Sequence, residues 1–160
     1  MKLGSWSHLF GRFLEAVSAG RLTDEERREV ETWLNGEKEA AIYWEQPVAD
    51  QRHGLESART TAAVRPGRRD LVRAALLHDV GKRHSELGVV GRSLASLFAK
   101  LRLPVRGSWR SYLDHGTLGA EELARLGSGQ LVVDFAHYHH GSRPAALTVD
   151  DWEVLQRADR

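Results

Sequence analysis

The sequence predicts an all-α fold, an irregular helical bundle, on two observations. Apolar residues recur at helical spacing through most of its 160 positions, and no long run alternates apolar with polar residues as a half-buried strand would. The periodic stretches also open and close on helix punctuation, with Thr23, Pro47 and Asp70 at starts and Gly20, Asn35-Gly36 and Pro66-Gly67 at stops. A chain of this length forms one domain with a sizeable core.

Trp6, Leu9, Phe10 and Phe13 predict an amphipathic first helix that Gly20 ends. Thr23 and Glu26 form a capping box for a helix through Leu34, stopped by Asn35-Gly36. Pro47 opens the next helix, which passes His53 towards Val64 and breaks at Pro66-Gly67. Asp70 is then expected to cap a helix ending at His78-Asp79. From Leu87 to Leu113 the chain carries Arg92, Lys100, Arg102, Arg106 and Arg110 and no acidic residue. A helix is expected from Val89 to Leu101, and a loop around Pro104 and Gly107. Three more helices follow at about Thr117 to Leu126, Gly129 to His140 and Val149 to Asp159. Residues 1–46 are expected to be an N-terminal helical extension packed on the same domain, and residues 47–160 its main body.

Bulk properties exclude several classes. A net charge of +1 gives no electrostatic case for a nucleic-acid or membrane-surface partner. The absence of cysteine rules out disulfides and thiolate metal sites. No apolar stretch reaches bilayer length and no signal-peptide pattern opens the chain, so the expectation is a cytoplasmic protein.

Function concentrates on His78-Asp79, at the end of the apolar run that starts at Leu71. Burying a carboxylate without a partner costs several kcal/mol, and a bound cation is the simplest compensation. Helix phase supports this. Leu71, Ala74, Ala75 and His78 share one stripe; Val132, Phe135, Ala136 and His139 share a second; Trp152, Leu155 and Asp159 share a third. A single inward histidine is ordinarily a hydrogen-bonded core residue, but three helices here each end an apolar face on an ionisable group. His53 and His115 are further candidates. His53 shares a face with the small Ala49 and Ser57, and Gly119 and Ala120 one turn beyond His115 allow close approach. His140 points away from His139 and is expected to face the ligands or the substrate. Lys82, after the Gly81 break, is positioned to pair with the metal-site carboxylate or a substrate phosphate. His8, His84 and His137 carry no motif. The arginines from 92 to 110 suggest a lid that steers anionic substrates. Imidazole and carboxylate ligands suit iron, manganese, zinc, nickel or cobalt.

With these positions assembled, the chain resembles the HD-domain superfamily of metal-dependent phosphohydrolases. The matching pattern is His53, then Leu76-Leu77-His78-Asp79-Val80-Gly81-Lys82, then His115, His139-His140 and Ala158-Asp159. It spans about Asp50 to Asp159. The resemblance implies that His53, His78, Asp79 and Asp159 hold one metal, and that His115 and His139 add a second, bridged by Asp79. Two divalent ions follow, iron or manganese before zinc, nickel, cobalt or magnesium. Dinuclear members include diadenosine polyphosphate hydrolases, cyclic-dinucleotide phosphodiesterases and a few diiron oxygenases. The cyclic-dinucleotide group has Gly-Tyr-Pro after its paired histidines, where this chain has Gly141-Ser142-Arg143-Pro144. The implied activity is hydrolysis of a phosphoester or phosphoanhydride, in a nucleotide-like or other small phosphorylated substrate, by a metal-activated hydroxide. Asp79 and Lys82 would be catalytic, with His140 and Arg143 near the substrate. The alternatives are a diiron oxygenase on the same scaffold and a non-catalytic metal-containing binding module.

Overall fold

Helix ends decide this architecture, because His78, His115, His139 and Asp159 each lie at one. The computed structural model describes residues 20–85, 87, 88, 91, 98, 104 and 106–160. The helix expected around Trp6 to Phe13, and most of that expected from Val89 to Leu101, lie outside the described residues. The described residues form α-helices and one 3-10 helix, with no strand among them.

Helix α1 (Asp24–Trp33) starts at the expected capping box: Thr23 Oγ1 accepts from the Glu26 amide, and the Glu26 carboxylate accepts from the Thr23 amide. Helix α2 (Glu37–Trp44) was not anticipated from periodicity. Its inward face is Glu39, Ile42 and Tyr43, so a carboxylate stands where a third apolar residue would have marked the stripe. That carboxylate accepts from the Asn35 amide at 2.8 Å and from Ser128 Oγ at 2.5 Å, and it is ion-paired with Arg73 at 3.3 Å.

Helix α3 (Val48–Val64) begins after Pro47 as expected. Helix α4 (Arg69–Leu77) starts earlier than expected. Asp70 does not cap it: no side-chain cap is present, and the Asp70 carboxylate instead pairs with Arg68 at 2.9 Å. Leu71, Val72 and Ala74 through Leu77 are all buried, which makes α4 the central helix, packed against α3 and two later helices. The 3-10 helix Val80–Ser85 follows.

The loop expected after Pro104 contains α5 (Ser108–Leu113), with Gly107 at φ 59 serving as its N-cap rather than as a breaker. Helix α6 (His115–Arg125) begins two residues before the expected Thr117. Helices α7 (Gln130–Tyr138) and α8 (Val149–Ala158) match their predicted spans to within two residues. Both pack on α4, and α8 also packs on α3. Helix α1 is tied to α3 by Arg52–Glu26 at 3.1 Å and Arg59–Glu29 at 2.7 Å. Among the described residues, no helix is long and apolar enough to cross a membrane.

Candidate metal centre

Three imidazoles are oriented by the ends of the helices that precede them. His78 follows the last turn of α4, and its Nδ1 lies 2.7 Å from the Ala75 carbonyl oxygen. His139 follows α7, with Nδ1 2.8 Å from the Ala136 oxygen. His115 lies beyond α5, with Nδ1 2.6 Å from the Tyr112 oxygen. In each case the acceptor is a carbonyl three residues back, in the final turn of a helix, where carbonyls lack helical partners. A carbonyl only accepts, so Nδ1 carries the proton and Nε2 is turned towards the interior.

These Nε2 atoms converge on Asp79, which is 2% exposed and offers one oxygen to each side. Oδ2 lies 3.4 Å from His78 Nε2 and 3.9 Å from His53 Nε2, and pairs closely with Lys82 Nζ. Oδ1 lies 3.4 Å from His115 Nε2 and 3.5 Å from His139 Nε2. Asp159, just beyond α8, completes the first side: its Oδ1 is 2.9 Å from His78 Nε2 and 3.1 Å from His53 Nε2. One ligand atom from each of His53, His78, Asp79 and Asp159 falls within a common 4.8 Å, and likewise for His115, His139 and His140.

Charge behaves differently on the two sides. Burial works against protonating His78, but the Asp79 and Asp159 carboxylates outweigh it and raise its pKa to about 10 without metal. Burial would raise the pKa of Asp79, yet Lys82 and His78 hold it well below the usual carboxylate range. Asp159 is also held low, with His78 and His53 outweighing its burial. On the other side, burial pushes His139 down, so it stays neutral. His115 and His139 then bring Nε2 atoms within 3.2 Å of each other, and Asp79 Oδ1 is buried with no hydrogen-bond donor. With each Nδ1 turned to a carbonyl, the two Nε2 atoms face one another, and a cation lying between them would relieve that contact. An orphaned carboxylate oxygen beside two imidazole nitrogens is a donor set that fits a divalent cation.

Lys82 spends its ammonium on Asp79 and is mostly buried, which favours the first of the two roles read for it. His140 is exposed, with its ring centroid 4.0 Å from that of His139; desolvation by the surrounding protein and the adjoining His139 and His115 rings lower its pKa to about 3. Arg143 Nη1 donates to the Leu147 carbonyl and, at 3.5 Å, to that of Pro144, both in its own loop. Of the basic stretch, Arg110 pairs with Asp114 at 2.6 Å and Arg106 is exposed; Arg92, Lys100 and Arg102 lie outside the described residues. His137 is exposed, and His84 pairs with Glu122 at 3.1 Å. His8 is outside the described residues.

Two contributors escaped the sequence reading. Gln156 Nε2 donates to the His139 carbonyl at 2.5 Å, linking α8 to the end of α7. It sits three residues before Asp159, a helical spacing that could have flagged it. The Tyr112 ring stacks on His115 with centroids 5.7 Å apart, and nothing in the sequence marks that contact.

The HD domain family matches residues 52–160, about two thirds of the chain. The chain therefore belongs to the HD domain family, a superfamily of metal-dependent phosphohydrolases. No curated protein and no solved structure matches it.

Proposed function

We propose that this protein hydrolyses a phosphoester or phosphoanhydride in a small phosphorylated substrate, using two divalent ions. The observation that carries the reading is the division of Asp79: Oδ2 faces His53 and His78, and Oδ1 faces His115 and His139 without a donor of its own. His53, His78, Asp79 and Asp159 would hold one ion, and His115 and His139, with Asp79 shared, the other. His140 is close enough to join the second set. Such ions supply a lowered pKa for water and positive charge beside the phosphoryl oxygens.

The chain's own groups do the positioning. The carbonyls of Ala75, Tyr112 and Ala136 fix three imidazoles in one tautomer, so their Nε2 atoms are preset rather than searching. Lys82 keeps Asp79 ionised and holds its orientation. Residues before 47 form an extension of the same domain in this reading, supported by the Arg52 and Arg59 ion pairs to α1.

The test is metal analysis of purified protein, followed by a panel of nucleotides and phosphoesters assayed under air and under nitrogen. Release of phosphate or a phosphorylated product that chelation abolishes and nitrogen leaves unchanged is expected. Turnover that requires oxygen would overturn the hydrolase reading in favour of an oxygenase. Bound metal with no turnover on the panel would favour the binding module.

A further inference from the structure

Glycines follow three of the clustered histidines, and apart from His140-Gly141, which lies beyond the end of α7, these are His53-Gly54 and His115-Gly116. Both lie within helices, α3 and α6, where alanine would be favoured by ~1 kcal/mol. Packing explains the choice. A Cβ at position 54 would lie 2.7 Å from the Leu76 carbonyl oxygen and 3.4 Å from Tyr43 Cε2. A Cβ at position 116 would lie 2.9 Å from the Ala136 oxygen, 3.2 Å from the His137 oxygen and 3.6 Å from His139 Cε1. The first contact in each set is too close for a real methyl group, and its partner is backbone, which cannot swing aside.

The identity of those backbone atoms matters. Leu76 belongs to the last turn of α4, the turn that delivers His78. Ala136 O is the acceptor that holds His139 Nδ1. Position 54 therefore gauges His53 against His78, and position 116 gauges His115 against His139. Gly81 joins the two sides in the same manner, since a Cβ there would overlap the His115 carbonyl oxygen.

We propose that Gly54 and Gly116 are positioning residues, each setting the ligand spacing of one half of the centre independently of the other. This rests on the two-ion reading above. Added bulk at either position forces a helix outward, and a displaced ligand loses its ion before the fold is lost.

The test uses the full chain, stripped with chelator and titrated with Mn²⁺ by calorimetry and equilibrium dialysis. Gly116→Ala should weaken one of two binding events about tenfold or more and leave the other within about twofold. Gly54→Ala should do the reverse. In a His115→Ala background, Gly116→Ala should add nothing, whereas Gly54→Ala should retain its full effect on the remaining event. Gly129→Ala, at the far end of α7 with its nearest neighbour at 3.8 Å, should leave both events unchanged. If an alanine variant fails to fold, Gly119→Ala carries the test, because its Cβ meets Gly81 N at 3.0 Å on the same helix as His115; it should weaken the His115 event by a smaller factor. Equal weakening of both events by Gly54→Ala and Gly116→Ala, or no shift in the folded variants, would overturn the inference. A parent protein that takes one ion would overturn the two-ion reading instead.

Discussion

The two halves of the centre meet at Asp79 but solve the problem of buried charge in opposite ways. In the half containing His53, His78 and Asp159, the Asp159 carboxylate faces two imidazoles at 2.9 and 3.1 Å, and a protonated His78 compensates it and Asp79 without metal. In the half containing His115, His139 and His140, two imidazole Nε2 atoms face each other at 3.2 Å and one carboxylate oxygen has no donor. The first half is an ion-pair network that a metal would have to displace, and the second is a gap that a metal would fill. Close packing of polar groups alone does not tell these apart; counting protons does.

The largest effect should come from the shared residue. Asp79→Ala removes a ligand from both halves and leaves Lys82 without its partner, so both ions and all turnover should be lost. Metal analysis and activity on the same preparation check this, and a variant retaining either ion would break the idea of a bridge. A smaller and one-sided effect is expected from His139→Ala, which should cost the second ion while the first stays bound. If metal content is unchanged, the second half is not a metal site and the comparison collapses to a single site.

The smallest effect lies outside the centre. Glu26 has its carboxyl lowered from 4.5 to about 2, chiefly by hydrogen bonding to Arg52 and by the Thr23 amide. A pKa lower in the folded than the unfolded state stabilises above the unfolded value, and that stability is lost as pH falls from about 4.5 towards 2. Glu26→Gln preserves the capping box, which accepts either residue, but removes this ion pair. Chelated protein should lose ~1 kcal/mol at neutral pH, an amount discounted for solvent screening. Acid melts should show the difference between variant and parent closing below about pH 4.5; a gap constant down to pH 2 would remove Glu26 as its source.

What the sequence made legible was phase. The stripes ending in His78, His139 and Asp159 were readable because apolar neighbours repeat at helical spacing, and all of Leu71, Ala74, Ala75, Val132, Phe135, Ala136 and Leu155 are buried. Where a polar residue takes the inward position, as Glu39 does in α2, the apolar stripe is interrupted and periodicity does not mark the helix. Asp70 misled for a related reason: a good capping residue type sat in the first turn, while its carboxylate went to Arg68. The orientation of each histidine by a carbonyl three residues back was invisible as sequence, because every residue has a carbonyl. Only the point at which the helix stops decides which carbonyls are left without a partner.

The separation along the chain of the groups that meet has a consequence for time rather than place. His53 and Asp159 are 106 residues apart, and His78 and Asp159 are 81 apart. Bringing such distant segments together is slow, and contacts of this range tend to form late in folding. A cation held between them would have no complete site in the rate-limiting ensemble, so it would act on the return journey. Added metal should leave the refolding rate nearly unchanged and slow unfolding by the whole of its contribution to stability. Stopped-flow traces with and without chelator would read this directly, and faster refolding in metal would mean that the ligands assemble early.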